Sequence, residues 1–219
     1  MINFFKNIFT TKQDTIEEFI HSEKHTGPHV VWIHGANQTS LSFAYLRSRL
    51  PNWDCTLINY SSLNNFYHNL ANMIVELENK GPLFIVGHSL GGIYALHLAK
   101  QLDVVGAVSI STPFRGSSTA DWAKYVVPAY QLFRDVGRRS RPVIDGHKID
   151  ITIPWTQIIS TTGSVPYHSG PNDGVVTIAS MEHRSNDMEI IHVNNTHYEV
   201  VCSDEVAKII QERYERISR

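Results

Sequence analysis

Cysteine is scarce in this chain: its 219 residues include two, Cys55 and Cys202, far apart in sequence. Two lone thiols at that distance form neither a disulfide framework nor a zinc-spacing motif, and they fit a reducing compartment, with a single bridge between them left open. Long hydrophobic runs are also missing, since no stretch approaches the roughly 20 apolar residues of a membrane span. The N-terminal segment Met1–Phe9 is apolar, but Lys6 and Asn7 interrupt it and no small-residue cleavage site follows. It therefore does not read as a secretory signal, and the expected location is the cytoplasm. The bland reading of that segment is an amphipathic stretch docked on the domain, and contact with a membrane surface is the alternative. A strong excess of charge of one sign is absent as well, with 19 Lys and Arg against 21 Asp and Glu and a formal net charge of −2. That balance leaves no electrostatic footprint for nucleic acid. No internal repeat or low-complexity tract is present.

What remains is an ordinary globular composition, 42% hydrophobic. It is read as one domain over residues 1–219, large enough to bury roughly 70% of the surface of its unfolded chain. Short apolar runs alternate with helical patterns. Strand candidates are His29–Ile33, Cys55–Tyr60, Leu83–Val86, Val104–Ile110, Trp155–Ile159 and Glu189–Val193. Helix candidates are Leu41–Leu50, Asn64–Lys80, Gly91–Gln101 and Ser203–Ile217. Runs that are apolar on both faces suit a parallel sheet covered on each side. The expected fold class is α/β, with a mostly parallel central sheet of about six strands and helices on both faces. Within the second helix Phe66, Leu70, Ile74 and Leu77 form the predicted buried stripe, and Ser203 is the predicted N-cap of the last helix.

The segment 113–148 interrupts the alternation and is too long for a plain loop, so it reads as a lid-like insert with structure of its own. Trp122, Tyr125, Val126, Tyr130 and Phe133 recur there at helical spacing, with Pro128 bending or breaking the run. Such a stripe either covers a site as an apolar pocket or buries one face of a surface helix, and the two readings are compatible. On the first reading Trp122, Tyr125 and Tyr130 are substrate-binding candidates. Arg134, Arg138, Arg139 and Arg141 follow, solvating a helix end or attracting an anionic or phospholipid surface.

Chemistry is concentrated where the strand Leu83–Val86 runs into Gly87-His88-Ser89-Leu90-Gly91-Gly92 and a helix follows. In a G-x-S-x-G elbow the serine stands on a sharp, strained turn, and glycines two residues before and after avoid collisions with it. The next helix points its N–H groups at the place where negative charge develops. A bare G-x-S-x-G occurs by chance in roughly one chain in ten to twenty of this length. The strand before it, the helix after it and the doubled glycine make an idle serine the weaker reading.

Gly-His-Ser-Leu-Gly-Gly resembles the elbow of bacterial lipases and related esterases of the α/β-hydrolase superfamily. Trp32-Ile33-His34-Gly35-Ala36 resembles the strand and oxyanion loop of those enzymes. Ser111-Thr112-Pro113-Phe114-Arg115-Gly116-Ser117 resembles their T-P-H-R-G-S stretch, with Phe114 in place of the usual His. The resemblance spans roughly Val30 to Glu199. It implies an α/β-hydrolase fold whose acid and base follow the serine in the order Asp or Glu, then His. It places the base at His197, beyond the last strand, with His192 as the rival inside that strand. It places the acid at Asp173, in Asn172-Asp173-Gly174-Val175-Val176, where an Asx-turn is the structural alternative and Asp145 and Asp150 are rivals. Oxyanion donors are expected at the N–H groups of Leu90 and Ala36, with His34 bracing the loop and Asn37 and Gln38 able to add side-chain hydrogen bonds.

The implied activity is a serine hydrolase acting on a carboxylic ester with an apolar acyl part, so the expected partner is a small-molecule ester or a lipid. No cofactor is implied and nothing calls for a metal. A thioesterase, amidase or acyltransferase would use the same triad, because specificity lives in the pocket. A binding protein on a hydrolase scaffold is the remaining alternative.

Overall fold

The computed structural model describes residues 27–117, 137–164 and 170–219. Its strands are β1 (His29–Ile33), β2 (Cys55–Ile58), β3 (Leu83–His88), β4 (Val104–Ile110), β5 (Trp155–Ser160) and β6 (Glu189–Val193). They form one six-stranded sheet in the order β2-β1-β3-β4-β5-β6, with every neighbouring pair parallel. The expected α/β class and strand number hold. The helices are α1 (Ala44–Ser48), α2 (Phe66–Leu77), α3 (Leu90–Ala99), α4 (Arg141–Gly146), α5 (Ile178–Met181) and α6 (Asp204–Ile217).

The continuous apolar strands follow from this layering. Successive side chains of a strand point to opposite faces, and here both faces are covered. Val31, Ile33 and Ile85 face α2 and α3, joining Phe66, Leu70, Met73, Ile93 and Leu96 in one core. Val30, Trp32, Phe84 and Val86 face α6, joining Val206, Ile210 and Tyr214 in the other. All residues of β1 and β3 are buried. At the sheet edge β6 buries only Val193.

Several helix limits differ from the sequence reading. Leu41–Leu50 divides into a 3-10 turn at Ser40–Phe43 and α1. The Asn64–Lys80 pattern shortens to α2 because Asn65 caps it, its side chain accepting from the Tyr67 N–H. The buried stripe of α2 runs through Met73, while Ile74 is only partly buried. Ser203 caps α6 as predicted, accepting from the Val206 N–H.

Of the segment 113–148, the two roots are described. Phe114 is buried with its ring 6.4 Å from that of Trp155, and Ser117 bridges to Gly137. Arg141 opens α4 and stands 3.6 Å from Asp145, so it begins a helix rather than trailing one. The His97 ring ties α4 to α3 by donating Nε2–H to the Pro142 carbonyl at 2.9 Å. Trp122, Tyr125, Tyr130 and Arg134 lie outside the described residues. Among the described residues no helix is long and apolar enough to cross a membrane.

Candidate active site

Parallel strands all end at the same edge of a sheet, and Ala36, Ser89, Asp173 and His197 lie in the segments that follow β1, β3, β5 and β6 there. β3 finishes at His88 and α3 begins at Leu90. Ser89 stands between them at φ 53° and ψ −118°, a left-handed backbone that a side-chain-bearing residue adopts only under strain. The flanking glycines make the turn possible. A Cβ on Gly91 would overlap the Ile33 carbonyl oxygen, and one on Gly87 would lie 2.6 Å from the Gly91 oxygen. The doubled glycine has its own reason, since a Cβ on Gly92 would strike the Thr112 hydroxyl.

The loop after β1 passes directly over this turn. A Cβ on Gly35 would lie 3.2 Å from Cβ of Ser89 and 3.0 Å from Nδ1 of His88. The loop is braced by His34, whose Nδ1–H donates to the Gly35 carbonyl at 2.7 Å while Nε2 accepts the Tyr60 N–H at 3.3 Å. The Tyr60 ring stacks on the His34 ring with centroids 4.2 Å apart, and its hydroxyl donates to the His34 carbonyl at 2.9 Å. Both nitrogens of His34 are thus committed to bracing. Burial lowers its pKa, and the Gly35 carbonyl only partly opposes this. Gly35 N–H is held by the side-chain oxygen of Gln38 at 3.1 Å. Among the described residues the Ala36 N–H has no acceptor. Leu90 is the first residue of α3, where N–H groups lack an intrahelical acceptor. Leu90 directly follows Ser89, and Ala36 follows Gly35, whose backbone passes close over the serine.

Asp173 and His197 meet across the loops after β5 and β6. Nδ1 of His197 donates to Oδ2 of Asp173 at 2.7 Å, with the carboxylate fully buried and the imidazole nearly so. Their backbones are joined as well, His197 N–H to the Asp173 carbonyl at 2.9 Å. Oδ1 of Asp173 accepts from the N–H groups of Val175 and Val176 at 3.0 and 2.7 Å. The predicted acid and the predicted Asx-turn therefore fall on the same residue, with one carboxylate oxygen on the His197 imidazole and the other on the loop's own N–H groups. Burial pushes the Asp173 carboxyl up, but the His197 hydrogen bond and charge, the Ser160 hydroxyl and the Val176 N–H together hold it below the usual range.

Ser89 and His197 share no hydrogen bond, and the Ser89 hydroxyl has no partner among the described residues. Catalytic hydrogen bonds are often long before substrate binds. The imidazole nonetheless stands beside the elbow, because its ring centroid is 4.9 Å from that of His88, the residue before Ser89. The rivals lie elsewhere. His192 is on the exposed side of β6 with Nε2 2.9 Å from Glu182. Asp145 accepts from the Tyr67 hydroxyl at 2.7 Å, and Asp150 is exposed.

The model of the alpha/beta hydrolase family matches residues 30–150, more than half of the chain. The chain belongs to the alpha/beta hydrolase family. Solved structures share the fold at low identity. A lipase-esterase related protein from Clostridium acetobutylicum is 15% identical at a TM-score of 0.56, covering 85% of this chain and 94% of that one. The Bacillus licheniformis lipase BlEst2 is 14% identical at a TM-score of 0.60, covering 86% and 92%. The Vlm2 thioesterase domain is 15% identical at a TM-score of 0.56, covering 86% and 93%. No curated protein sequence matches the chain.

Two residues around this site, Ser160 and His88, were not singled out from the sequence. Ser160 ends β5 and donates its hydroxyl to Oδ2 of Asp173 at 2.6 Å, with the Ser111 hydroxyl 2.6 Å behind it. A polar residue closing an apolar strand was the signal available. His88 announces itself only through its contacts, whereas Gln38 makes the kind of side-chain hydrogen bond expected of it, to the Gly35 N–H. Among the described residues no group of three or more His, Cys, Asp or Glu is arranged to hold a metal ion.

Proposed function

We propose that this alpha/beta hydrolase is a serine esterase that cleaves a carboxylic ester with an apolar acyl group. The observation that carries the reading is the buried Asp173–His197 pair at 2.7 Å standing beside a serine held at φ 53° between a strand and a helix. A serine hydroxyl is a weak nucleophile until a base removes its proton. His197 Nε2 takes that proton as Ser89 Oγ bonds to the acyl carbon. Asp173 fixes the tautomer with Nε2 free and stabilises the imidazolium. The carbonyl oxygen becomes an oxyanion held by the Leu90 and Ala36 N–H groups. Collapse breaks the ester C–O bond, and the leaving alkoxide takes the proton back from His197. Water then repeats the sequence on the acyl-serine, releasing the carboxylic acid and restoring Ser89.

An activated serine reacts with a fluorophosphonate, whereas an ordinary one does not. The folded protein is expected to gain one probe at Ser89, and Ser89→Ala to lose both labelling and about 10⁶ in kcat. A folded wild-type protein that stays unlabelled overturns the reading. A panel of ester, thioester and amide substrates with matched acyl groups then ranks the leaving group, with the ester expected to have the highest kcat/KM.

A further inference from the structure

His88 is fully buried and lies between three parts of the site. Its Nε2 is 3.0 Å from the His197 carbonyl oxygen. A carbonyl only accepts, so the ring proton sits on Nε2. Its Nδ1 is 3.2 Å from the side-chain oxygen of Gln38, the same atom that accepts the Gly35 N–H. Among the described residues no other hydrogen bond joins the loop carrying His197 to the elbow.

We propose that His88 is a positioning residue, which clamps the backbone of His197 to the nucleophile elbow through Nε2 and abuts the oxyanion loop through Gln38. The proposal rests on reading Ser89 and His197 as nucleophile and base. Asp173 aims the imidazole but belongs to the same loop cluster, so it cannot set the distance from that cluster to Ser89. His88 can, because one peptide bond separates it from the serine. Burial first, and the neighbouring His197 second, push the His88 pKa down to about 3, so at neutral pH the ring has a single proton. That proton is committed to His197, and Nδ1 turns a lone pair toward Gln38. The carboxamide can answer it only with its NH2 group, and doing so releases the Gly35 N–H. Gln38 thus chooses between the elbow and the oxyanion loop, and the clamp on His197 holds in both settings.

The test compares His88→Gln with His88→Asn. Both bury a carboxamide, but the Gln nitrogen reaches the place of Nε2 and the Asn nitrogen only that of Nδ1. A misplaced catalytic group costs on the order of 10²-fold. On a soluble p-nitrophenyl ester, His88→Asn is expected to lose about 10- to 100-fold in kcat with little change in KM. His88→Gln is expected to recover most of that loss. The strongly deshielded Nδ1 proton of the His197–Asp173 pair, read by NMR, should broaden or vanish in His88→Asn and persist in His88→Gln. Equal kcat and equal spectra in the two variants overturn the proposal. If the wild-type protein turns over no ester, the esterase reading falls, and the two spectra still decide the clamp. If His88→Asn does not fold, a folded His88→Gln that has lost its Nδ1 resonance overturns the proposal, and one that keeps it supports it.

Discussion

Acid is expected to weaken this protein well before its carboxylates titrate. His88 is pushed from 6.5 to about 3 in the fold, by burial above all. Below pH 6.5 the unfolded chain binds a proton there that the folded chain refuses. The unfolded state therefore binds more protons, and stability falls with falling pH. The loss continues until the pH reaches the folded value near 3. Each pH unit in that window is worth about 1.4 kcal/mol, so lowering the pH from neutrality to about 5 removes about 2 kcal/mol through His88 alone. Burial depresses His34 and His97 as well, so both act in the same direction. Against a typical total of about 5–15 kcal/mol this is a large share. Urea unfolding at several pH values between about 5 and 8 measures it. His88→Gln should remove close to one proton from the pH slope, because the carboxamide does not titrate. A wild-type midpoint that stays flat across that range would refute the reasoning.

Asp173→Asn keeps the shape of the acid but presents the wrong tautomer to His197, and kcat is expected to fall by roughly 10⁴ in steady-state assays. Unchanged activity there would mean the acid is misassigned. Ser160→Ala removes a 2.6 Å donor from a buried carboxylate. Hydrogen bonds to charged groups contribute about 1.5–3 kcal/mol, so kcat is expected to drop about tenfold or more and the Asp173 pKa to rise toward its ordinary value. A pH–rate profile identical to wild type would count against that role. Gly91→Ala drives a methyl group into the Ile33 carbonyl, which cannot move without breaking the sheet. Overpacking of this kind costs about 1–3 kcal/mol or more, lowering Tm by several degrees, and an unshifted melting curve would contradict the geometry.

The sheet was legible because both of its faces are covered, so β1 and β3 read as unbroken apolar runs bounded by turns. The elbow was legible because steric demand leaves glycine little choice at 87 and 91. Helix ends were less so. Asn64 and Asn65 are both plausible caps, and only the Asn65 contact to Tyr67 decides between them. The Met73-for-Ile74 difference is a small rotation of a helix on its core, which periodicity over so short a stretch cannot fix. Around the site, the motifs pointed to Ser89, Asp173 and His197, and the contacts of Ser160 and His88 left no such trace. Ser160 and His88 act through partners outside their own segments, such as His88 on His197 across 109 positions. No local pattern records such a pairing. Phe114 shows the reverse: its departure from the related motif was visible, and the structure uses it as buried packing beside Trp155.

The division of labour within Asp173 has an evolutionary consequence. One oxygen folds its own loop by accepting two main-chain amides, and the other serves the imidazole. Replacements without a side-chain oxygen here therefore lose the imidazole contact and the loop's own acceptor together, and Asn alone keeps the second while failing the first. A lineage giving up hydrolysis on this scaffold would lose the serine first and keep the aspartate, so an idle descendant would still look, at this corner, like a working enzyme.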